Sequence, residues 1–265
     1  MGVFSMNRSV LAAACSSRYI QRSIVLAVLG LMVGQAACAA DNDRLKIGAG
    51  VGYVPRYEGS DEHRVQPVPL LDYQYGRFFA RAGAGVGFKL IRTSRFTVGA
   101  GLSWMSGYRS KDVPDGIGKL SDALGGRLFV STDLAGAVLT LSATQAITKS
   151  ERGLIANARL SYPYPVSGRL KIIPSVAVNW ANAKYMDSYF GVSANQAAAS
   201  GLKQYKPSAG FKDVSVRLAA SYDLTKSWSV TGAVGVSSLL GDAADSPLVK
   251  RKTQVRGLLG VAYTF

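Results

Sequence analysis

Residues 255–265 alternate without a break: Val255, Gly257, Leu259, Val261, Tyr263 and Phe265 fall on one side, and Arg256, Leu258, Gly260, Ala262 and Thr264 on the other. A two-residue period with one greasy face is that of a half-buried β-strand. The same period returns along the chain, as in Leu45, Ile47, Ala49, Val51 and Tyr53, in Phe96, Val98, Ala100, Leu102 and Trp104, and in Val214, Val216, Leu218, Ala220 and Tyr222. Beyond the N-terminal leader no window keeps helical i, i+3, i+4, i+7 spacing over three turns, so the chain reads as all-β. Strands whose outer faces find no covering partner in the sequence need lipid. The expected fold is a transmembrane antiparallel up-and-down β-barrel, with Phe265 and Tyr263 as its C-terminal assembly signal.

The other end of the chain agrees. Arg8, Arg18 and Arg22 stand without an acid among the first 23 residues, Ile24 to Val33 is apolar, and residues 35–40 are mostly small. That is the layout of a secretory signal peptide over residues 1–39, cleaved near Ala39, with residues 40–265 as the barrel domain. The apolar run falls short of the roughly twenty residues a spanning helix needs. Cys38 raises a lipoprotein reading, but Gln35 stands where a lipobox wants Leu. Processing would remove Cys15 and Cys38 together, leaving no cysteine for disulfides, thiol catalysis or metal ligation. The formal charge of +15 stays strongly basic after the leader is lost. No basic helix or aromatic RNA-reading strand pair accompanies it, so nucleic acid is excluded, and outer-membrane lipid, lipopolysaccharide phosphates and murein carboxylates are the expected counter-charges.

Link lengths give a test of topology. Outer-membrane barrels join their strands by short periplasmic turns and longer outer loops. Counted back from Phe265, residues 239–250 fall outside, 225–227 inside, 182–212 outside, 165–168 inside, 149–152 outside, 133–136 inside, 107–123 outside and 92–94 inside. The N-terminal part then needs an even count, supplied by segments 44–54, 65–75, 77–82 and 84–91, with 57–64 outside. This gives about twelve strands, or ten if the excursion at Gly83 is a kink and the first segment is demoted.

The alternating glycines of Gly48 to Gly52 and Gly83 to Gly87 are not phosphate loops, because they recur every second residue within strands rather than at a strand-to-helix turn. They form a lumen-facing row of small residues. His63, the one histidine, lies among Asp61, Glu62 and Arg64 and has neither convergent metal ligands nor a nucleophile elbow beside it, so catalytic, cofactor and metal residues are all expected to be none. The register puts Lys46, Asp72, Arg159, Lys171, Arg217, Asp223 and Arg256 on the inner face, most of them cationic. Such a lumen is either a wet anion-selecting pore or a filled interior.

Local strings then become recognisable. Gly50-Val-Gly-Tyr-Val-Pro-Arg-Tyr-Glu-Gly-Ser-Asp61, Pro67-Val-Pro69, Tyr185-Met-Asp-Ser-Tyr-Phe-Gly-Val192, Ser200-Gly-Leu202 and Ser246-Pro247 resemble the MltA-interacting protein (MipA/OmpV) family. The resemblance implies a non-enzymatic outer-membrane protein that brings a murein transglycosylase and a murein synthase together. A small anion-preferring channel and a surface adhesin are the alternatives. No partner-binding residue carries over. The family strings single out Pro55, Tyr57, Gly59, Ser60, Asp61, Tyr185, Tyr189, Phe190 and Gly191 for a structural or partner role. These positions fall in outer loops, whereas a murein partner is met from the periplasm. The loops are therefore expected to fold inward as a plug, with Tyr57, Tyr185, Tyr189 and Phe190 buried and their phenols near inner Arg and Lys side chains.

Overall fold

The computed structural model describes residues 43–265; the signal peptide expected over residues 1–39 and both cysteines lie outside the described residues. Thirteen strands follow in order: β1 Arg44–Pro55, β2 His63–Tyr75, β3 Phe78–Arg81, β4 Gly85–Arg92, β5 Phe96–Met105, β6 Ala123–Leu134, β7 Ala137–Ala146, β8 Leu154–Ser161, β9 Tyr164–Pro165, β10 Leu170–Ala181, β11 Gly210–Asp223, β12 Trp228–Leu239 and β13 Thr253–Thr264. Each pairs antiparallel with its neighbour, β13 with β1 and β10 with β11, so that twelve strands close into a ring. The two-residue β9 only pairs beside the start of β10. The twelve-strand reading holds, and the excursion at Gly83 is a true hairpin.

Closure matters because lipid offers no hydrogen bonds, so the backbone must satisfy itself around the ring. The outward face carries the greasy stripes: Val51, Leu128, Val216, Val234 and Leu259 are all well exposed. Opposite them, the inner face is built from small residues that let the walls and their fillers approach. A Cβ on Gly99 would stand 2.3 Å from the Phe129 ring, and one on Gly87 2.9 Å from that of Phe79. The two rings meet edge to face at 5.6 Å. The glycine row is thus the space into which inner-face aromatics pack.

The start of β1 and the C-terminal Phe265 share one end with the short turns. Lys46 pairs with Thr264 there, and the Phe265 amide donates to the Leu45 carbonyl at 3.0 Å. Tyr263 sits edge-on between Trp228 at 5.1 Å and Phe265 at 4.9 Å. The tightest turn, residues 133–136, holds Ala135 and Gly136 at positive φ while Asp133 Oδ1 accepts from the Gly136 amide. In an outer-membrane barrel this is the periplasmic end.

One part of the long outer link differs from a plain loop. Residues 182–209 contain two short helices, α1 Ala183–Phe190 and α2 Ala194–Ser200, and a third, α3 Gly241–Ala244, follows β12. The cause is local capping. The Asn182 side chain accepts from the Tyr185 amide, and Ser193 with Gln196 forms a reciprocal capping box. Helices of two turns are too short to show an i, i+3, i+4, i+7 pattern over three turns.

We expect Phe79→Ala to lower the folding free energy by about 3 kcal/mol through loss of the packed ring. Urea unfolding in lipid vesicles measures it, and an unchanged midpoint would show that the inner aromatics do not support the wall.

Candidate functional site

The outer ends of five strands present small or apolar inner-face residues: Met105, Ala123, Ala146, Ala181 and Leu239. Helix α1 drops its apolar side onto them. Tyr185, Met186 and Phe190 join those strand ends, with Ala243 and Ala244 of α3, in one buried cluster. Because the strand residues face the lumen, α1 sits inside the barrel mouth. A second cluster, of Tyr57, Val113, Ile117, Val192 and Leu248, joins the first outer loop to the third, the fifth and the last. The outer loops thus make a cap seated in the mouth.

Its polar groups are paired across long sequence distances. The Tyr57 hydroxyl donates to the Leu248 carbonyl at 3.0 Å, and burial, aided by the Asp61 and Glu62 charges, pushes that phenol up to about 12. It therefore stays a neutral donor. Gln254, reaching in from β13, donates to the carbonyls of Tyr57 and Ser60 at 3.2 and 3.0 Å. Gly59 has a φ of +99°, and its carbonyl accepts from both Lys250 and Arg251 amides; a Cβ there would strike Val249 at 2.6 Å. Only glycine suits this position.

Two charged constructions hold the cap. The Arg152 side chain is fully buried and donates to the carbonyls of Ser106, at 2.9 Å, and Ser121, and to the Tyr189 hydroxyl. Its guanidinium lies 4.4 Å from the Tyr189 ring centre, and that ring stacks on Tyr185 at 4.4 Å. On the other side, Lys212 bridges Glu58 at 2.6 Å and Asp213 at 2.8 Å, with Arg256 at 4.0 Å from Glu58. Burial alone would raise the Glu58 carboxyl, but the Lys212 and Arg256 charges outweigh it and hold it below the ordinary carboxylate range. Asp112 behaves likewise: burial opposes its ionisation, and the Arg109 and Arg64 guanidiniums, at 2.7 and 2.9 Å, overcome that.

Beneath the cap lies a cavity of about 350 Å³, between the inner wall and the aromatic side chains of the loops. Tyr57, Tyr185 and Tyr189 form its roof; Glu58, Arg64 and Arg256 supply its charge.

The positions singled out from the sequence come together here. Pro55, Tyr57, Gly59, Ser60, Tyr185 and Phe190 are buried, Tyr189 and Gly191 are half-buried, and Asp61 is exposed opposite Lys250 at 3.8 Å. The phenols do not all find cations of the inner wall. Tyr57 bonds a backbone carbonyl, and the arginine at Tyr189 comes from the short outer link 147–153, which read as a simple connection. Glu58, Asp112, Arg152 and Lys212 were not foreseen as a set. Glu58 lay within the recognised string, but nothing in a sequence pairs it with a lysine 154 positions on.

A family model described as "MltA-interacting protein MipA" matches residues 47–265. The chain belongs to the MltA-interacting protein MipA family. The MltA-interacting protein of Escherichia coli (strain K12) is 27% identical over 247 residues, which cover 91% of this chain and 98% of that one. A "24 kDa outer membrane protein" of Pasteurella multocida (strain Pm70) is 24% identical over 237 residues, covering 85% and 91%. Among solved structures, the KdgM porin aligns with a TM-score of 0.44 at 12% identity over 83% of this chain and 99% of that one, too loose a likeness to carry transport across. This MipA-family barrel is an outer-membrane protein.

Two outcomes follow for its cap. Arg152→Leu leaves the Ser106 and Ser121 carbonyls without their donor and should loosen the cap by about 2–4 kcal/mol, read as faster hydrogen exchange of the α1 amides. Glu58 and Asp112 have depressed folded values, so the stability they give is complete above roughly pH 5 and is lost as pH falls through those values. Proteolysis of residues 182–209 should therefore accelerate in acid, and Glu58→Gln with Asp112→Asn should flatten that pH dependence.

Proposed function

We propose that this MipA-family barrel is a non-enzymatic scaffold of the murein machinery, engaged from the periplasm at its short-turn rim. The observation that carries the reading is the basic short-turn rim. The outer mouth is filled by a cap in which exposed cations such as Lys111, Lys119, Lys184 and Lys203 stand among exposed carboxylates such as Asp115, Asp122, Glu151 and Asp187. At the other end Arg77, Arg92, Arg95, Arg169 and Lys226 are exposed in the turns and next to them. Among the described residues none of these five takes part in an ion pair. A basic ring on a fixed scaffold attracts an acidic protein surface by long-range steering, and orients it without burying much area. The name of the Escherichia coli relative, which refers to an interaction with MltA, supports a murein transglycosylase as one such partner; a murein synthase brought to the same rim is the second partner of this proposal.

A second reading, an anion-conducting barrel, is favoured by Arg127, Arg159 and Arg217. They stand on the inner faces of β6, β8 and β11 and enter no ion pair among the described residues. The seated cap opposes it, and planar-bilayer recording separates the two: a scaffold with a filled mouth is silent, whereas steady anion-selective steps would establish the channel.

For the scaffold, a soluble murein transglycosylase should bind the detergent-solubilised barrel at low salt. Charge reversal of Arg77, Arg95, Arg169 and Lys226 to Glu should weaken that binding at least tenfold, as should raising salt well past the range where the Debye length falls below about 8 Å. Binding that survives both changes would place the contact elsewhere, and no binding at low salt would remove the scaffold reading.

A further inference from the structure

The barrel wall has a break in its hydrogen bonding. Hairpin β3–β4 turns back at residues 82–84, where the Ala82 amide donates to Leu71 at 2.9 Å and Arg81 pairs with Asp72. Above that point residues 63–70 of β2 pair with β1 alone. Across the break, Trp104 and Met105 of β5 pair with β6 alone. At the hairpin tip the flanking strands stand three strand spacings apart, about 14 Å. No backbone hydrogen bond crosses this notch among the described residues. Its top is spanned by a side-chain contact, Arg64 to Asp112 at 2.9 Å.

The sequence is adapted to that open edge. The Leu71 carbonyl points toward β3, so Pro67 and Pro69, two and four residues earlier, turn the same side of their backbone into the notch. Proline has no N–H to leave unpaired there. What remains facing the notch from β2 is the carbonyls of Val65, Pro67 and Pro69, with the Val65 amide as the one donor among them. In bare hydrocarbon the excess acceptors would go unsatisfied, so this edge calls for hydrogen-bond donors.

The cavity under the cap opens onto both edges of this notch. Gln66 of β2 and Ser103 and Trp104 of β5 line it together, although Trp104 points outward and is 65% exposed. Of the charged groups that line it, Arg64 and Arg256 outnumber Glu58, and Arg152, which enters no ion pair among the described residues, backs it behind the Tyr189 ring. An excess of positive charge within, an acceptor row at the doorway and apolar Val65 and Trp104 on the membrane side describe one kind of guest.

We propose that the notch and cavity form a lateral binding site for a single-chain phospholipid. Its phosphate would lie inside near Arg256, its ammonium or hydroxyl donors on the β2 carbonyls, and its acyl chain would remain outside along Val65 and Trp104. This site is independent of the rim proposed for protein partners.

Native mass spectrometry of the mature protein in detergent, titrated with palmitoyl lysophosphatidylethanolamine, tests the proposal. A single saturable adduct is expected, weakened at least tenfold by Arg256→Gln and by Ser103→Trp, which fills the doorway, and unchanged by Ser175→Trp on the inner face of β10, across the ring from the notch. Palmitate, which has a chain and a negative charge but no donor head, should bind at least tenfold more weakly. Heat-modifiable migration on gels reports folding; should Ser103→Trp fail it, Arg256→Gln and the palmitate comparison decide. Unsaturable adducts, a saturable one indifferent to Arg256→Gln, or palmitate bound as tightly would each overturn the proposal.

Discussion

The constraint on which this structure rests is that a backbone in hydrocarbon must find every hydrogen bond within itself. Ring closure through the β13–β1 and β10–β11 pairings meets it for most of the wall. Once the ring is closed, outward side chains need only be greasy and inward ones need only fit. That is why glycine, alanine and serine can occupy so much of the inner face without loss of a conventional core. The place where closure lapses, beside β2, is also where two prolines remove the donors that would otherwise be stranded. A local sequence choice and a gap in the global pairing agree there.

The cap follows a different rule. Loops in water are ordered only when their contacts outweigh the entropy of fixing them. Here the contacts are a few buried anchors of high individual weight. Arg152 satisfies two carbonyls and a phenol at once, Lys212 holds two carboxylates from different elements, and Phe190 and Met186 fill the mouth. A buried cation is costly unless its donors are met, and Arg152 meets its partners through its two terminal nitrogens while its Nε has none, so such anchors fix one arrangement of loops more sharply than apolar contacts alone would. The trade is that the arrangement depends on charge, and hence on pH, in a way the strands do not.

This difference in rules explains what could be read from the sequence. Alternation is a local signal repeated in every strand, and link length is a second local signal that alternates with it; together they give the ring, its strand number and its orientation. Even the short β3–β4 hairpin, only four residues on its first strand, left a trace at Gly83 and Gly85. The cap leaves no comparable trace. Tyr57 and Leu248 are separated by 191 positions, and Arg152 looks like any solvated loop arginine until Tyr189 is folded over it. The recognised strings marked the loops as special because they return to one place, but the residues that answer them lie in other loops whose own sequences are plain. The helices α1 and α2 were legible only through their caps, Asn182 and Ser193, since two turns are too short for periodicity to register.

The two ends and the side of the barrel then divide the surface chemically. At the mouth, the buried carboxylates Asp112 and Asp213 are matched by cations, and the exposed charges outside those pairs are of both signs. At the periplasmic rim, cations stand in short turns whose backbone is held by the strands on either side, so they form a fixed array rather than a set of mobile tails. A fixed array favours a protein partner of complementary shape over a diffuse counter-ion cloud, because little backbone entropy remains to be lost and only the exposed side chains must be ordered. The notch lies on neither end, and its surroundings are lipid rather than water. Occupation of it would brace the unpaired edge of β2 against β5 and the Arg64–Asp112 contact above it. Since that contact belongs to the same loop that carries Tyr108 toward Tyr57, a guest in the wall and the order of the cap are mechanically joined.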